Sequence, residues 1–95
     1  MTPRWHPDAL ADAAAAARFY RDQRPGIAER FLTGLEDSLR RIHLHPKIYR
    51  EIEPGIRKCQ LDRFPYAVIF RDGPTLQILA VMHTRRQPDY WKQRV

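Results

Sequence analysis

The sequence predicts an α+β domain in which an N-terminal strand and an antiparallel helical hairpin pack on a twisted antiparallel β-sheet. Three observations predict this fold class. Residues 8–44 contain two stretches in which apolar residues recur with the period of an amphipathic helix, separated by a short Pro-Gly break. Residues 56–82 contain runs of apolar residues joined by links so short that the strands can only be antiparallel neighbours. Residues 4–6 are expected to form a short opening strand ahead of the helices.

The helical hairpin follows from periodicity and from the residues that interrupt it. The first helix is expected from about Asp8 to Gln23, because Pro7 suits a first turn and Pro25 with Gly26 breaks the chain afterwards. Its predicted apolar face is Leu10, Ala13, Ala14, Ala17 and Tyr20. The second helix is expected from 27 to 44, before His45 and Pro46. Its predicted apolar face is Ala28, Phe31, Leu32, Leu35, Leu39 and Ile42.

The strands are predicted after this hairpin. Residues 47–55 are expected to form a polar loop, and a strand is expected from Ile56 to Leu61. Residues 66–86 form the central stretch, two strands joined by a turn at Asp72 and Gly73. One predicted face carries Val68, Phe70, Leu76, Ile78, Ala80 and Met82. The other face is also apolar, so both faces are expected to be covered, with Trp91 packing as a lid on the sheet.

Composition limits the classes of function. The chain has 95 residues, which suits one domain over residues 1–95, and a formal net charge of +6. That charge favours an anionic partner such as nucleic acid or an acidic protein segment. The single Cys59 excludes an internal disulfide, and no Cys/His spacing is typical of zinc. No run of residues approaches the length of a membrane span, so we expect a cytoplasmic protein with no cofactor, metal or membrane partner.

A basic cluster follows the second strand of the central stretch. Residues 83–86 have the sequence His-Thr-Arg-Arg. A rigid apolar ribbon that ends in one imidazole and two guanidinium groups is suited to holding a phosphate or an acidic surface. We therefore expect the functional site at the carboxyl-terminal rim of the sheet.

Two blocks of sequence carry a family resemblance. Residues 61–66 (LDRFPY) lead into a strand, and residues 78–86 (ILAVMHTRR) are followed by PDYW at residues 88–91. In this combination the chain resembles the RelE/ParE superfamily of bacterial toxins from type II toxin–antitoxin systems, over almost its whole length. The resemblance implies a growth-inhibiting toxin that is silenced by a cognate antitoxin in a hetero-oligomer. It assigns no antitoxin-binding residues.

The superfamily contains two mechanisms on one scaffold, so the fold does not choose between them. ParE-like members poison DNA gyrase by binding, and this is our first hypothesis. RelE-like members cleave messenger RNA in the ribosomal A site without a metal, and this is the alternative. A family member that retains only antitoxin binding is a third possibility.

Each mechanism assigns roles to particular residues. For a nuclease, the resemblance implies His83 as the base, and Tyr90 either as the acid or as a platform on which a nucleobase stacks, with Arg85 stabilising the phosphorane. Glu51 or Glu53 is an alternative base. The residues expected to bind the target or its phosphates under either mechanism are Arg57, Arg63, Arg85 and Arg86.

Purely structural roles are open for the same side chains. His83 could cap the strand end with a hydrogen bond, and Tyr90 could belong to the lid with Trp91. The arginine pair could be solvated or paired with the antitoxin.

Overall fold

The structure is a computed structural model that describes residues 2–95. Its elements follow one another in the order β1 (Arg4–Trp5), α1 (Pro7–Gln23), α2 (Ile27–Leu44), β2 (Arg50–Glu53), β3 (Ile56–Gln60), β4 (Tyr66–Arg71) and β5 (Gln77–His83). Short 3₁₀ turns lie at Pro46–Ile48 and Lys92–Arg94. The five strands form one sheet in the order β1-β5-β4-β3-β2. The predicted α+β class, with an N-terminal strand and a helical hairpin on a sheet, is confirmed.

The sheet differs from the prediction in two ways. It is mixed, because β1 runs parallel to β5 at the edge while the other pairs are antiparallel. The polar loop predicted for residues 47–55 contains β2, which pairs with β3 and includes an irregularity between Glu51 and Glu53. The sequence of β2 is mostly polar and has no alternation of apolar residues. Its backbone pairing with β3 is what makes it a strand.

The α1 helix begins where its sequence predicts, but the buried face is rotated. Pro7 occupies the first turn, and His6 Nδ1 accepts a hydrogen bond from the Asp8 N–H at 3.0 Å. The prediction that Leu10 and Ala14 face the core is wrong, since Leu10 is 53% exposed and Ala14 is exposed. The buried residues of α1 are Ala9, Ala13, Ala16 and Ala17. Alanines lie on every side of this helix, so the sequence does not indicate which side faces the core.

The second helix largely matches its prediction. The predicted Phe31 and Ile42 are completely buried, whereas Leu32 is 38% exposed. Ser38, which was not predicted to face the core, is completely buried. Its hydroxyl accepts a hydrogen bond from Arg41 Nη2 at 3.2 Å. Within residues 2–95, no helix is long and apolar enough to cross a membrane.

A β-bulge changes which residues of β5 share a face. The pairing of β4 with β5 shifts by one residue, because Ile69 pairs with Ala80 while Phe70 pairs with Ile78. Leu79 is the extra residue. Val81 therefore joins Ile78 on the helix side, and the prediction that Ala80 and Met82 share a face with Ile78 is wrong.

Both faces of the sheet are covered, as predicted. The core between the sheet and the helices includes Phe31, Val68 and Phe70. The opposite face carries a second cluster, in which Trp91 is 2% exposed and packs with Ile69, Leu79 and Met82 among others. The carboxyl-terminal segment therefore acts as the predicted lid on the second face.

Candidate functional site at the end of the central hairpin

The end of β5 forms a turn that we call the basic tip, residues 83–86. His83 Nδ1 accepts a hydrogen bond from the backbone N–H of Arg85 at 3.0 Å, and the Arg86 N–H donates to the His83 carbonyl oxygen at 2.9 Å. The His83 ring lies edge-on to Tyr66, with 5.0 Å between ring centroids. These contacts define the turn and leave the side chains of Arg85 and Arg86 exposed.

Arg63 lies at the same end of the sheet as the basic tip. It belongs to the loop between β3 and β4, in which the Pro65 carbonyl oxygen accepts a hydrogen bond from the Thr84 N–H at 2.9 Å. The backbone of Arg63 is left-handed (φ 69°), a conformation that is uncommon for a residue with a side chain. Arg63 lines a groove of about 640 Å³ beside α2, and Asp37 of α2 and Asp62 of the loop line the same groove.

Arg57 is separated from the basic tip. It pairs with Phe70 on β4, about 13 Å along the strand from Tyr66 at roughly 3.3 Å per residue, and Tyr66 is the residue that pairs with the tip. Arg57 Nη1 donates to the Tyr49 carbonyl oxygen at 2.9 Å, and its Nε lies 3.7 Å from Asp72 Oδ2. Its side chain is only 18% exposed. The structure therefore brings Arg63 and the basic tip to one end of the sheet and leaves Arg57 elsewhere, held by internal partners.

Tyr90 packs beside the basic tip but its hydroxyl has an internal partner. The O–H donates to Asp12 Oδ2 at 3.0 Å. Burial, followed by the charge and hydrogen bond of Asp12, raises the pKa of Tyr90 well above its usual range. The guanidinium carbons of Arg86 and Arg94 lie 4.2 Å and 4.8 Å from the centroid of the Tyr90 ring. A phenol that holds its proton this firmly is poorly suited to give it to a leaving group.

Asp12 is the centre of a group that we call the Asp12 cluster, consisting of Asp12, Tyr90 and Arg94. Arg94 Nη1 donates to Asp12 Oδ2 at 2.7 Å, and both side chains are nearly buried. Burial lowers the pKa of Arg94, but the hydrogen bond and charge of Asp12 outweigh that effect and raise it. The guanidinium of Arg94 is therefore firmly held in its charged form.

The Asp12 cluster also completes the edge of the sheet. Because β1 pairs with β5 only as far as Ile78, the outer edge of β5 beyond that point lacks a neighbouring strand. There the Val81 N–H donates to Asp12 Oδ2 at 3.1 Å, and the Leu79 carbonyl oxygen accepts from Arg94 Nη1 at 3.0 Å. Side chains thus satisfy backbone groups that a longer β1 would have paired.

The glutamates that could replace His83 as a base are also engaged. Glu51 Oε2 accepts a hydrogen bond from the Gly55 N–H at 2.9 Å, and Glu53 Oε2 lies 2.8 Å from Lys92 Nζ. The exposed chemistry at the tip is therefore cationic. It is suited to binding an anionic surface.

Comparison with known proteins identifies the family. A family model described as the ParE toxin of the type II toxin–antitoxin system parDE matches residues 4–88. The chain belongs to this ParE toxin family. A solved structure described as a chromosomal ParDE TA system from P. aeruginosa aligns with a TM-score of 0.74 and 24% sequence identity, covering 87% of this chain and 95% of that chain. No curated protein matches the chain significantly.

Membership in the ParE family confirms the resemblance seen in the sequence and implies a cognate ParD antitoxin as a partner. The fold agrees with that of the ParDE structure: two helices and a mixed five-stranded sheet with an N-terminal strand. The family match ends at residue 88, so Tyr90 and Arg94 lie beyond the matched segment of this ParE-family chain.

The roles of Asp12 and Arg94 in this ParE-family chain were not predicted from the sequence. One signal was present: Asp12 lies three residues after the buried Ala9 and four before the buried Ala16, which places a carboxylate beside the buried stripe of α1. A buried carboxylate requires a partner, but nothing in the sequence indicates that the partner lies 82 residues later.

Proposed function

We propose that this chain inhibits growth by binding DNA gyrase through its basic tip and that it catalyses no reaction itself. The observation that supports this proposal is the hydrogen bond from the Tyr90 hydroxyl to Asp12, with the raised pKa that accompanies it. The side chain expected to act as the general acid of a nuclease is thereby used inside the fold. Membership in the ParE family supports the same mechanism.

The exposed guanidinium groups provide the means of binding. Arg85 and Arg86 extend from a turn whose backbone is fixed by hydrogen bonds, so their positions vary less than those of arginines on a loose loop. Arg63 adds a third cation at the same end of the sheet. Together they favour an acidic surface of the target enzyme or the phosphates of DNA held by it.

A ribosome-dependent mRNA endonuclease is the second candidate, because one observation favours it. The imidazole of His83 is partly exposed and lies next to two exposed guanidinium groups, which is a suitable environment for attack on a phosphodiester. The proposed function instead assigns His83 the role of fixing the Arg85 backbone through its Nδ1.

Expression of the chain without its antitoxin distinguishes the two candidates. A gyrase inhibitor should cause filamentation and a DNA-damage response while transcripts stay intact, and the purified chain should inhibit supercoiling by purified gyrase. An endonuclease should stop translation within minutes and leave transcripts cut at ribosome-bound codons. Transcript cleavage without inhibition of gyrase would exclude the proposed function.

Variants of the proposed site sharpen this experiment. The double substitution Arg85→Ala and Arg86→Ala should weaken inhibition of gyrase. Arg40→Ala removes one positive charge from α2, where Arg40 pairs only with Asp37 at 2.9 Å among the described residues. It is therefore the control for each single substitution at the tip, and it should not weaken inhibition. His83→Ala would reduce transcript cleavage by about 100-fold or more if His83 were a general base.

A further inference from the structure

We propose that Asp12 is a positioning residue for the basic tip: it holds Tyr90, and the ring of Tyr90 holds the guanidinium group of Arg86 where an anionic target can bind it. The consequence for target binding rests on the proposed function. The contact between Tyr90 and Arg86 can be measured independently of it.

Asp12 anchors the hydroxyl group of Tyr90. Asp12 lies on α1, and its side chain is 13% exposed. It accepts hydrogen bonds from the Tyr90 hydroxyl, from the Val81 N–H of β5 and from both terminal nitrogens of Arg94. A carboxylate that connects a helix, a strand and the carboxyl-terminal segment has little freedom to move. The hydroxyl bonded to it is fixed accordingly.

The ring of Tyr90 in turn contacts the guanidinium group of Arg86. The guanidinium carbon of Arg86 lies 4.2 Å from the centroid of the Tyr90 ring, within the range of a cation–π contact. Arg86 has no hydrogen bond or ion pair from its side chain to any residue from 2 to 95. The ring is therefore the contact that orders this side chain. Arg85, the adjacent exposed arginine, has no cation–π contact with any aromatic ring among residues 2–95.

Order in the free protein favours binding. A long arginine side chain loses rotamer freedom when a target immobilises it, and a side chain that is already ordered loses less. Stacking on Tyr90 leaves the N–H groups of Arg86 free to donate to an anion. Arg86 is thus the preorganised cation of the tip, whereas Arg85 must be ordered by the target.

The carboxyl-terminal segment has anchors besides Tyr90. Trp91 is buried in the second core, and Arg94 binds both Asp12 and the Leu79 carbonyl oxygen. Removal of the Tyr90 ring should therefore leave the segment in place and alter mainly what the ring contacts. This makes a positioning role separable from a structural one.

A double-mutant cycle tests the inference, with the half-inhibitory concentration against purified gyrase as the readout. Tyr90→Leu should raise that concentration by about 2- to 5-fold, the range of one exposed cation–π contact. In the Arg86→Ala background the same substitution should have no further effect. In the Arg85→Ala background it should retain its full effect. An equal loss from Tyr90→Leu in all three backgrounds would show a general structural role and overturn the proposal.

The second measurement is NMR of the arginine side chains, which needs no target. In the wild-type chain the Nε–Hε group of Arg86 should be shifted by the ring and more ordered than that of Arg85. Tyr90→Leu should abolish both differences. Tyr90→Phe and Asp12→Asn should reduce the order while the ring remains, because the anchor is weakened. Equal order for the two arginines in the wild type contradicts the inference.

The two readouts separate the possible failures. If Arg86→Ala leaves inhibition of gyrase unchanged while Arg86 is ordered by Tyr90, the proposed target surface is wrong and the positioning contact stands. If Tyr90→Leu fails to fold, as judged by circular dichroism and antitoxin binding, Tyr90→Phe and Asp12→Asn replace it in the NMR comparison.

Discussion

At the level of single residues, the Asp12 carboxylate determines the behaviour of its partners. Asp12→Ala leaves the nearly buried guanidinium of Arg94 with only the exposed carboxylate of Asp8, at 3.9 Å, and removes the acceptor of the Val81 N–H. Breaking a buried ion pair by removing one partner is strongly destabilising. We expect the free energy of unfolding to fall by about 3–5 kcal/mol, measured by urea denaturation.

Asp8 provides the matched control for this substitution. It lies on the same helix and 3.9 Å from the same Arg94, but its side chain is 65% exposed. Asp8→Ala should therefore lower the free energy of unfolding by about 1 kcal/mol or less. If both variants lost a similar amount of unfolding free energy, the Asp12–Arg94 pair would stabilise the fold no more than the exposed Asp8–Arg94 pair does.

At the level of elements, the turn between the helices depends on a glycine and the second helix does not. Gly26 has φ +87° with nothing within 4 Å of an added Cβ, so Gly26→Ala costs only backbone strain, about 1–2 kcal/mol. Gly34 lies inside α2, where an added Cβ would meet Phe64 at an ordinary 3.9 Å. Gly34→Ala should stabilise by about 0.5–1 kcal/mol because alanine favours the helix. Thermal unfolding of the two variants should show shifts of opposite sign, and shifts of the same sign would contradict this account.

The elements also show which parts of the fold a sequence predicts. The helices and the central hairpin carry local signals, namely periodicity, a Pro-Gly break and alternating apolar residues, and these gave nearly correct bounds. β2 and the bulge at Leu79 have no local signal, because pairing with the neighbouring strands β3 and β4 determines them. The candidate site divides in the same way. The basic tip is contiguous and was predicted, whereas the Asp12 cluster joins residues far apart in the chain.

For the whole molecule, two electrostatic effects oppose each other at high pH. The chain carries a net charge of +6 near neutrality, so a rise in pH toward its isoelectric point of about 10.1 reduces self-repulsion and favours the compact state. Burial acts in the other direction on three tyrosines. Burial raises the pKa of Tyr20, Tyr66 and Tyr90, with Tyr66 adding to the shift of Tyr20, and Asp12 adding to those of Tyr66 and Tyr90.

Burial should dominate above pH 10. In the unfolded chain these phenols lose their protons near pH 10, while in the folded chain they keep them to higher pH. The unfolded state then binds fewer protons than the native state, so these phenols leave the free energy of unfolding unchanged well below pH 10 and lower it as the pH rises further. Tyr90→Phe removes the group with the largest shift, so the decline of this variant between pH 10 and 11.5 should be shallower than that of the wild type. Urea denaturation at a series of pH values measures both slopes. Parallel slopes, or a wild-type chain that gains stability across this interval, would show that net charge outweighs the buried phenols.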